Sequence, residues 1–196
     1  MVEDSSGQDR RPGIAICAYE TDDPVWDFVE DLSGRLWNPP GARTVAVPAD
    51  EPDALAQSLA DCLRRNDCQA LLLVGRSSRA PVFRVQMRAE GRTPGEGRRL
   101  SRTGPSIARS TAPVADMVRA LHEAGLKADA SSDAEDDVGS YLLYRLLSEL
   151  PDSPDAPAIG LLRTPLPADE AVVSKGVKAA ASAMARRLSP LPRAAV

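Results

Sequence analysis

The chain has 196 residues, 24 basic and 28 acidic side chains, a formal net charge of −4 and a single histidine. This length suits one domain with a real core, and 43% hydrophobic residues against 27% charged is ordinary for a soluble protein. No apolar run reaches the roughly 18 residues that a membrane-spanning helix needs, and so mild an acidity argues neither for nor against nucleic acid.

Residues 1–11, MVEDSSGQDRR, are polar without an apolar stretch, which reads as a disordered tail and not as a signal peptide. GIAICAY (13–19) is a continuous apolar run, as expected of a strand buried on both faces. Asp23 and Pro24 open a helix, PVWDFVEDLSGRL, with Val25, Phe28, Val29 and Leu32 on one face. ARTVAVP (42–48) is a second strand, and Leu55, Leu59 and Leu63 stripe a helix over about 52–65. ALLLVG (70–75) is the strongest buried-strand signal.

Region 76–110 reads as a long irregular segment with nine arginines, no lysine and two acids, about seven charges positive while the remainder is about eleven negative. PVADMVRALHEAG (113–125) is a helix closed by a C-terminal glycine. LKADASS (126–132) is a strand that feeds the most distinctive stretch, SSDAEDDVGSYLLYRLLSEL (131–150). That stretch is a helix with Asp133, Glu135, Asp136 and Asp137 gathered at its positive end and an almost solidly apolar body. APAIGLLRT (156–164) is a last buried strand, and Val173, Val177, Ala181, Met184 and Leu188 stripe a closing helix before a C-terminal tail, 189–196. Alternating strands and helices imply one α/β domain over 12–188, a three-layer α/β/α sandwich on a mostly parallel sheet. Ligands of such sheets bind at the carboxyl ends of the strands, here after Ala18, Gly75, Ser131 and Leu162.

Chemistry is sparse. Cys17, Cys62 and Cys68 are odd in number and lack zinc-like spacing, which fits reduced thiols and a cytoplasmic protein. His122 lies near a helix C-terminus, where an imidazole complements the dipole, and so is no placed general base. The acids at 133–137 could ligate a hard cation, but neighbours at a helix start diverge and no histidine assists them. Capping is the expected role, with no metal. No phosphate-binding or dinucleotide fingerprint occurs, so no cofactor is expected. The 76–110 arginines suit an anion or nucleic acid, but the lack of interleaved aromatics makes a solvated or internally paired segment the better reading.

The order of segments resembles pyroglutamyl peptidase I, the pyrrolidone-carboxylate peptidase family of cysteine peptidases, over nearly the full length. Ser131, Asp133, Ala134, Tyr144 and Leu147 fit a family segment similar to S-N-D-A-G-T-Y-L-C-N-x-x-x-Y-x-x-L without a gap. DPVWDFV, VAVP, TAPVADMVRALHEAG and GLLRTPLP look like its N-P-S-W, L-P-V, T-x-P-V and G-F-I-H-V-P-x-L-P segments. The resemblance puts the family's nucleophilic cysteine on Gly139 and the asparagine beside it on Ser140. Its base histidine falls on Arg163. With Arg79 and Val82 aligned across a one-residue gap, its glutamate falls on Val85 and the following arginine on Gln86. The loop that helps hold the pyroglutamyl ring is shortened to YETDD.

Glycine supplies no thiolate and an arginine stays protonated, so the family reaction loses its nucleophile and its base. The resemblance implies a vestigial pocket at Val85, Gln86, Gly139, Ser140 and Arg163. A charge network is expected in its place, joining Arg76, Arg79, Arg84 and Arg163 to Asp133, Glu135, Asp136 and Asp137 and holding the 76–110 segment. The first functional expectation is an inactive peptidase homologue in binding or assembly, with a protein or a small acidic ligand as partner and a homo-oligomeric state suggested by the family. The alternatives are an active hydrolase of the family type, or an anion or nucleic-acid binder using the 76–110 arginines.

Overall fold

The computed structural model describes residues 9–20, 35–47, 50–77, 81–96, 100, 105–150, 153 and 155–188. Among them are eight strands: β1 Gly13–Ala18, β2 Arg43–Ala46, β3 Ala70–Arg76, β4 Phe83–Gln86, β5 Arg88–Glu90, β6 Ile107–Arg109, β7 Ala128–Ser131 and β8 Ala158–Thr164. Four helices accompany them: α1 Pro52–Arg64, α2 Val114–Glu123, α3 Val138–Ser148 and α4 Glu170–Leu188. The helix expected over PVWDFVEDLSGRL lies outside the described residues, as do residues 1–8 and 189–196 and Arg79.

Six strands form the central sheet in the order β2-β1-β3-β8-β4-β7. β1, β2, β3 and β8 run parallel, while β4 is antiparallel to β8 and parallel to β7. The apolar strands owe their runs to burial on both faces, and the pleat sorts alternate side chains into two cores. Ile14, Ile16, Leu72, Val74, Phe83, Val85 and Leu162 pack with Met117 and Leu121 of α2 and Val177, Ala181 and Met184 of α4. Ala15, Cys17, Tyr19, Leu71, Leu73 and Leu161 pack on the other side with Leu55 and Leu59 of α1 and Leu142, Leu143 and Leu146 of α3. The result is the expected three-layer α/β/α sandwich.

Two expectations need correcting. Region 76–110 is not irregular throughout: β4 joins the central sheet, and β5 pairs with β6 in a separate antiparallel ribbon. These strands have only 4, 3 and 3 residues, with Arg84 and Gln86 in β4, Arg88 and Glu90 in β5 and Arg109 in β6 interrupting them, so they carry little of the apolar signal that marks the longer strands. The other correction concerns the carboxyl-end rule. β1, β3 and β8 end together, but β7 runs the opposite way, so Ser131 does not end beside them. Residues 132–137 carry the chain back to the start of α3, where Asp137 meets Arg163.

Candidate functional site

The region where the family resemblance locates an active site is built on Tyr19. It continues the alternation of β1 and falls on the α1/α3 side with Ala15 and Cys17. Its ring is 5% exposed and lies between two glycines. A Cβ on Gly75 would stand 2.0 Å from the Tyr19 Cζ, and one on Gly139 would stand 2.4 Å from its hydroxyl. Both glycines permit a close approach that no other residue allows, and the phenol fills the space into which a side chain at 139 would project. Burial pushes the Tyr19 phenol well above the ordinary tyrosine range, against the opposing pull of Arg163.

Below the ring, Asp137 caps α3. Its extended backbone (φ −147°, ψ 176°) lets a carboxylate oxygen accept from the Ser140 N–H at 2.9 Å. The same carboxylate takes a bidentate pair from Arg163, at 2.5 Å from Nη1 and 2.8 Å from Nη2. Arg163 is 1% exposed and stands at the end of β8. Its Nε donates to Gln86 Oε1 at 2.8 Å, Nη1 also faces the Tyr19 hydroxyl at 3.2 Å and the Arg76 carbonyl at 3.4 Å, and Nη2 donates to Ser140 Oγ at 3.0 Å. A guanidinium has five N–H groups, and here all are engaged. Burial works against the Arg163 charge, yet the Asp137 hydrogen bonds and the nearby Tyr19 and Glu135 hold its pKa above the ordinary arginine value.

Gln86 closes the network by donating to Ser140 Oγ at 3.0 Å and to the Arg88 carbonyl at 2.9 Å. Glu135, 6% exposed, lies 3.7 Å from Arg163 Nε and accepts from Ser77 Oγ at 2.9 Å. A cavity of about 70 Å³ remains beside this cluster, lined by Glu90, Arg92, Glu135, Asp136, Asp137 and Tyr141 among others. It holds no more than a few waters.

The structure brings together Arg163, Asp137, Glu135, Gln86, Ser140 and Gly139, and from Arg76 only the carbonyl. It places the side chains of Val85 and Arg84 elsewhere. Val85 belongs to the core under α2 and α4, on the opposite face, so it lines no pocket here. In a strand a one-residue shift exchanges faces, and Gln86 is the residue that turns toward Arg163. Arg84 pairs with Asp129 at 3.3 Å and the Arg76 side chain with Glu20 at 3.9 Å, both acids outside 133–137. Asp136 accepts from the Gly95 N–H at 3.3 Å. Asp133 is exposed and has no ion pair among the described residues. His122, exposed on α2 in the other helix layer, meets the Ala128 carbonyl through Nε2 at 2.8 Å.

Cys17 is fully buried, and burial alone pushes its thiol up to about 12, so it is no available nucleophile. No group of His, Cys, Asp and Glu among the described residues is arranged to hold a metal ion. Sequence reasoning missed Tyr19, Gly75 and Ser77. The alternation of GIAICAY pointed Tyr19 to the Cys17 face, but nothing local signalled that two distant glycines would receive its ring.

No family model matches the sequence, and no curated protein matches it. Among solved structures, the chain is similar to pyroglutamyl peptidase I from Bacillus amyloliquefaciens, with a TM-score of 0.72, 19% identity, and coverage of 93% of this chain and 99% of that one. It is also similar to the pyrrolidone carboxyl peptidases of Thermus thermophilus (TM-score 0.65, 20% identity, 87% and 98% covered) and Thermococcus litoralis (TM-score 0.69, 13% identity, 90% and 94% covered). At these identities the likeness establishes the fold, that of pyroglutamyl peptidase I.

Proposed function

We propose that this chain is a pyroglutamyl-peptidase-like protein without the peptidase reaction, serving as a binding or assembly module. The observation that carries the reading is the Tyr19 ring, packed where a side chain at 139 would project. Gly139 offers no nucleophile, and Arg163 spends its five N–H groups inside the protein, leaving none to grip an acidic ligand. A protein partner is therefore the better expectation. Of the five described arginines of 76–110, Arg76, Arg84 and Arg92 each face a carboxylate, Arg88 donates to the Ser132 carbonyl and Arg109 is exposed, so most are engaged inside the protein, which weighs against a free anion-binding surface. No helix among the described residues is long and apolar enough to cross a membrane. The free thiols support a cytoplasmic setting.

The test is incubation with pyroglutamyl-aminomethylcoumarin. We expect no fluorophore release above buffer, with or without reductant. Turnover that thiol alkylation abolishes would overturn the reading and restore the hydrolase.

A further inference from the structure

α1 ends in a turn with a consequence outside the site. Asn66 takes the left-handed conformation (φ 59°), its N–H donates to the Leu63 carbonyl at 3.1 Å, and the Asp67 N–H reaches back to the Cys62 carbonyl at 3.0 Å. These two bonds form the helix-ending motif that folds the chain back over its last turn. The next residue, Cys68, thereby lands against Cys62, sulfur to sulfur at 2.9 Å. β3 starts two residues later, and the Gln69 N–H donates to the Gly13 carbonyl at 2.8 Å, which fixes the far side of the turn.

The geometry points to a redox modification site: Cys62 and Cys68 form a dithiol that a peroxide oxidises to a disulfide. A bond of about 2.05 Å needs the sulfurs to close by less than an ångström, across a loop whose shape the helix end already sets. The surroundings distinguish the two roles. The hydrogen bond the two thiols share lowers the Cys62 pKa, against its burial and the Asp67 carboxylate and with lesser help from Arg65 and Arg43, while the same bond and burial raise that of Cys68. Cys62, at the end of the helix and the more exposed of the two, is the sulfur an oxidant meets first, so it takes the attacking role and Cys68 the resolving one. Cys62 is 5% exposed and Cys68 1%, so the oxidant must be small. A depression of about 410 Å³, lined by Arg43, Asn66 and Gln69 among others, opens beside the turn.

The step balances. The Cys62 thiolate attacks one peroxide oxygen, the O–O bond breaks, and hydroxide leaves with the electron pair as a sulfenic acid forms. The Cys68 sulfur then attacks the Cys62 sulfur, its proton joins the departing hydroxyl as water, and the disulfide closes. Two thiols lose two electrons, and one peroxide becomes two waters.

The full chain, reduced and freed of reductant, is treated with hydrogen peroxide, unfolded in excess N-ethylmaleimide and weighed. We expect maleimide adducts to fall from three to one and to return to three after dithiothreitol, since the chain has three free cysteines. Trypsin cuts after Arg64 and Arg65, so the linkage would join peptide 44–64 to peptide 66–76. Three adducts retained, a link through Cys17, a disulfide between chains, or sulfinic acid on Cys62 would each overturn the proposal. Cys68→Ala should trap Cys62 as a sulfenic acid that takes up dimedone, as the parent does not. If that variant fails to fold, the adduct count on the parent still decides.

Discussion

At the residue scale, the Arg163–Asp137 pair is asymmetric, and the asymmetry is measurable. The Arg163 side chain is 2% exposed while Asp137 is 29% exposed. If Arg163 is lost, Asp137 can regain water; if Asp137 is lost, the arginine stays buried with Glu135 as its nearest charge, at 3.7 Å. Removing one partner of a buried pair costs roughly 3–5 kcal/mol, and Asp137→Ala should approach that range, with the α3 cap lost as well. Arg163→Met should cost clearly less, and urea unfolding of both variants checks the order. Gly139 supports a second prediction. Alanine inside a helix gains about 1 kcal/mol over glycine, but its Cβ would enter the Tyr19 ring, and overpacking typically costs about 1–3 kcal/mol. Gly139→Ala should therefore destabilise the parent and stabilise a Tyr19→Ala background. A change of the same sign in both would show that the ring does not press on position 139.

At the element scale, α3 and β4 show what the sequence reveals and what it conceals. The α3 body, the strands β1, β3 and β8 and the closing helix announce themselves because burial on both faces or along a wide stripe demands long apolar runs. β4 conceals itself because it is short and the face it presents toward α3 carries Arg84 and Gln86, whose partners Asp129 and Arg163 lie distant in sequence. The position of Arg163 beside Asp137 could be anticipated from the family resemblance and charge, whereas the one-residue register that selects Gln86 over Val85 could not. Register gives the third prediction. Gln86→Ala should couple to Arg163→Met by about 0.5–3 kcal/mol, since the two share hydrogen bonds, while Val85→Ala should add to it within about 0.5 kcal/mol. Double-mutant cycles in denaturant distinguish the two, and equal coupling would contradict the assignment of faces.

At the scale of the whole molecule, two helix layers seal a sheet whose central strands hold titratable groups away from water, and this makes stability depend on alkaline pH. Cys17, in β1 under α1 and α3, is the cleanest reporter, because burial is the one cause that moves its thiol, up to about 12. An unfolded thiol ionises near 8.5. From there up to about pH 12 the folded chain keeps a proton that the unfolded chain has released, so the native state binds more protons and stability must fall as pH rises. The loss approaches about 1.4 kcal/mol per pH unit for one proton. Tyr19, whose phenol burial also raises, adds to the decline above the ordinary tyrosine range. Cys17→Ala leaves the Tyr19 contribution and removes the thiol's. Relative to the parent, that variant should gain up to about 4 kcal/mol between pH 9 and 12, whatever its deficit at neutrality. Unfolding free energies measured under reductant across that interval check the sign. Parallel curves for the two proteins would mean that the thiol meets solvent, and that the α3 layer does not seal the sheet beneath Tyr19.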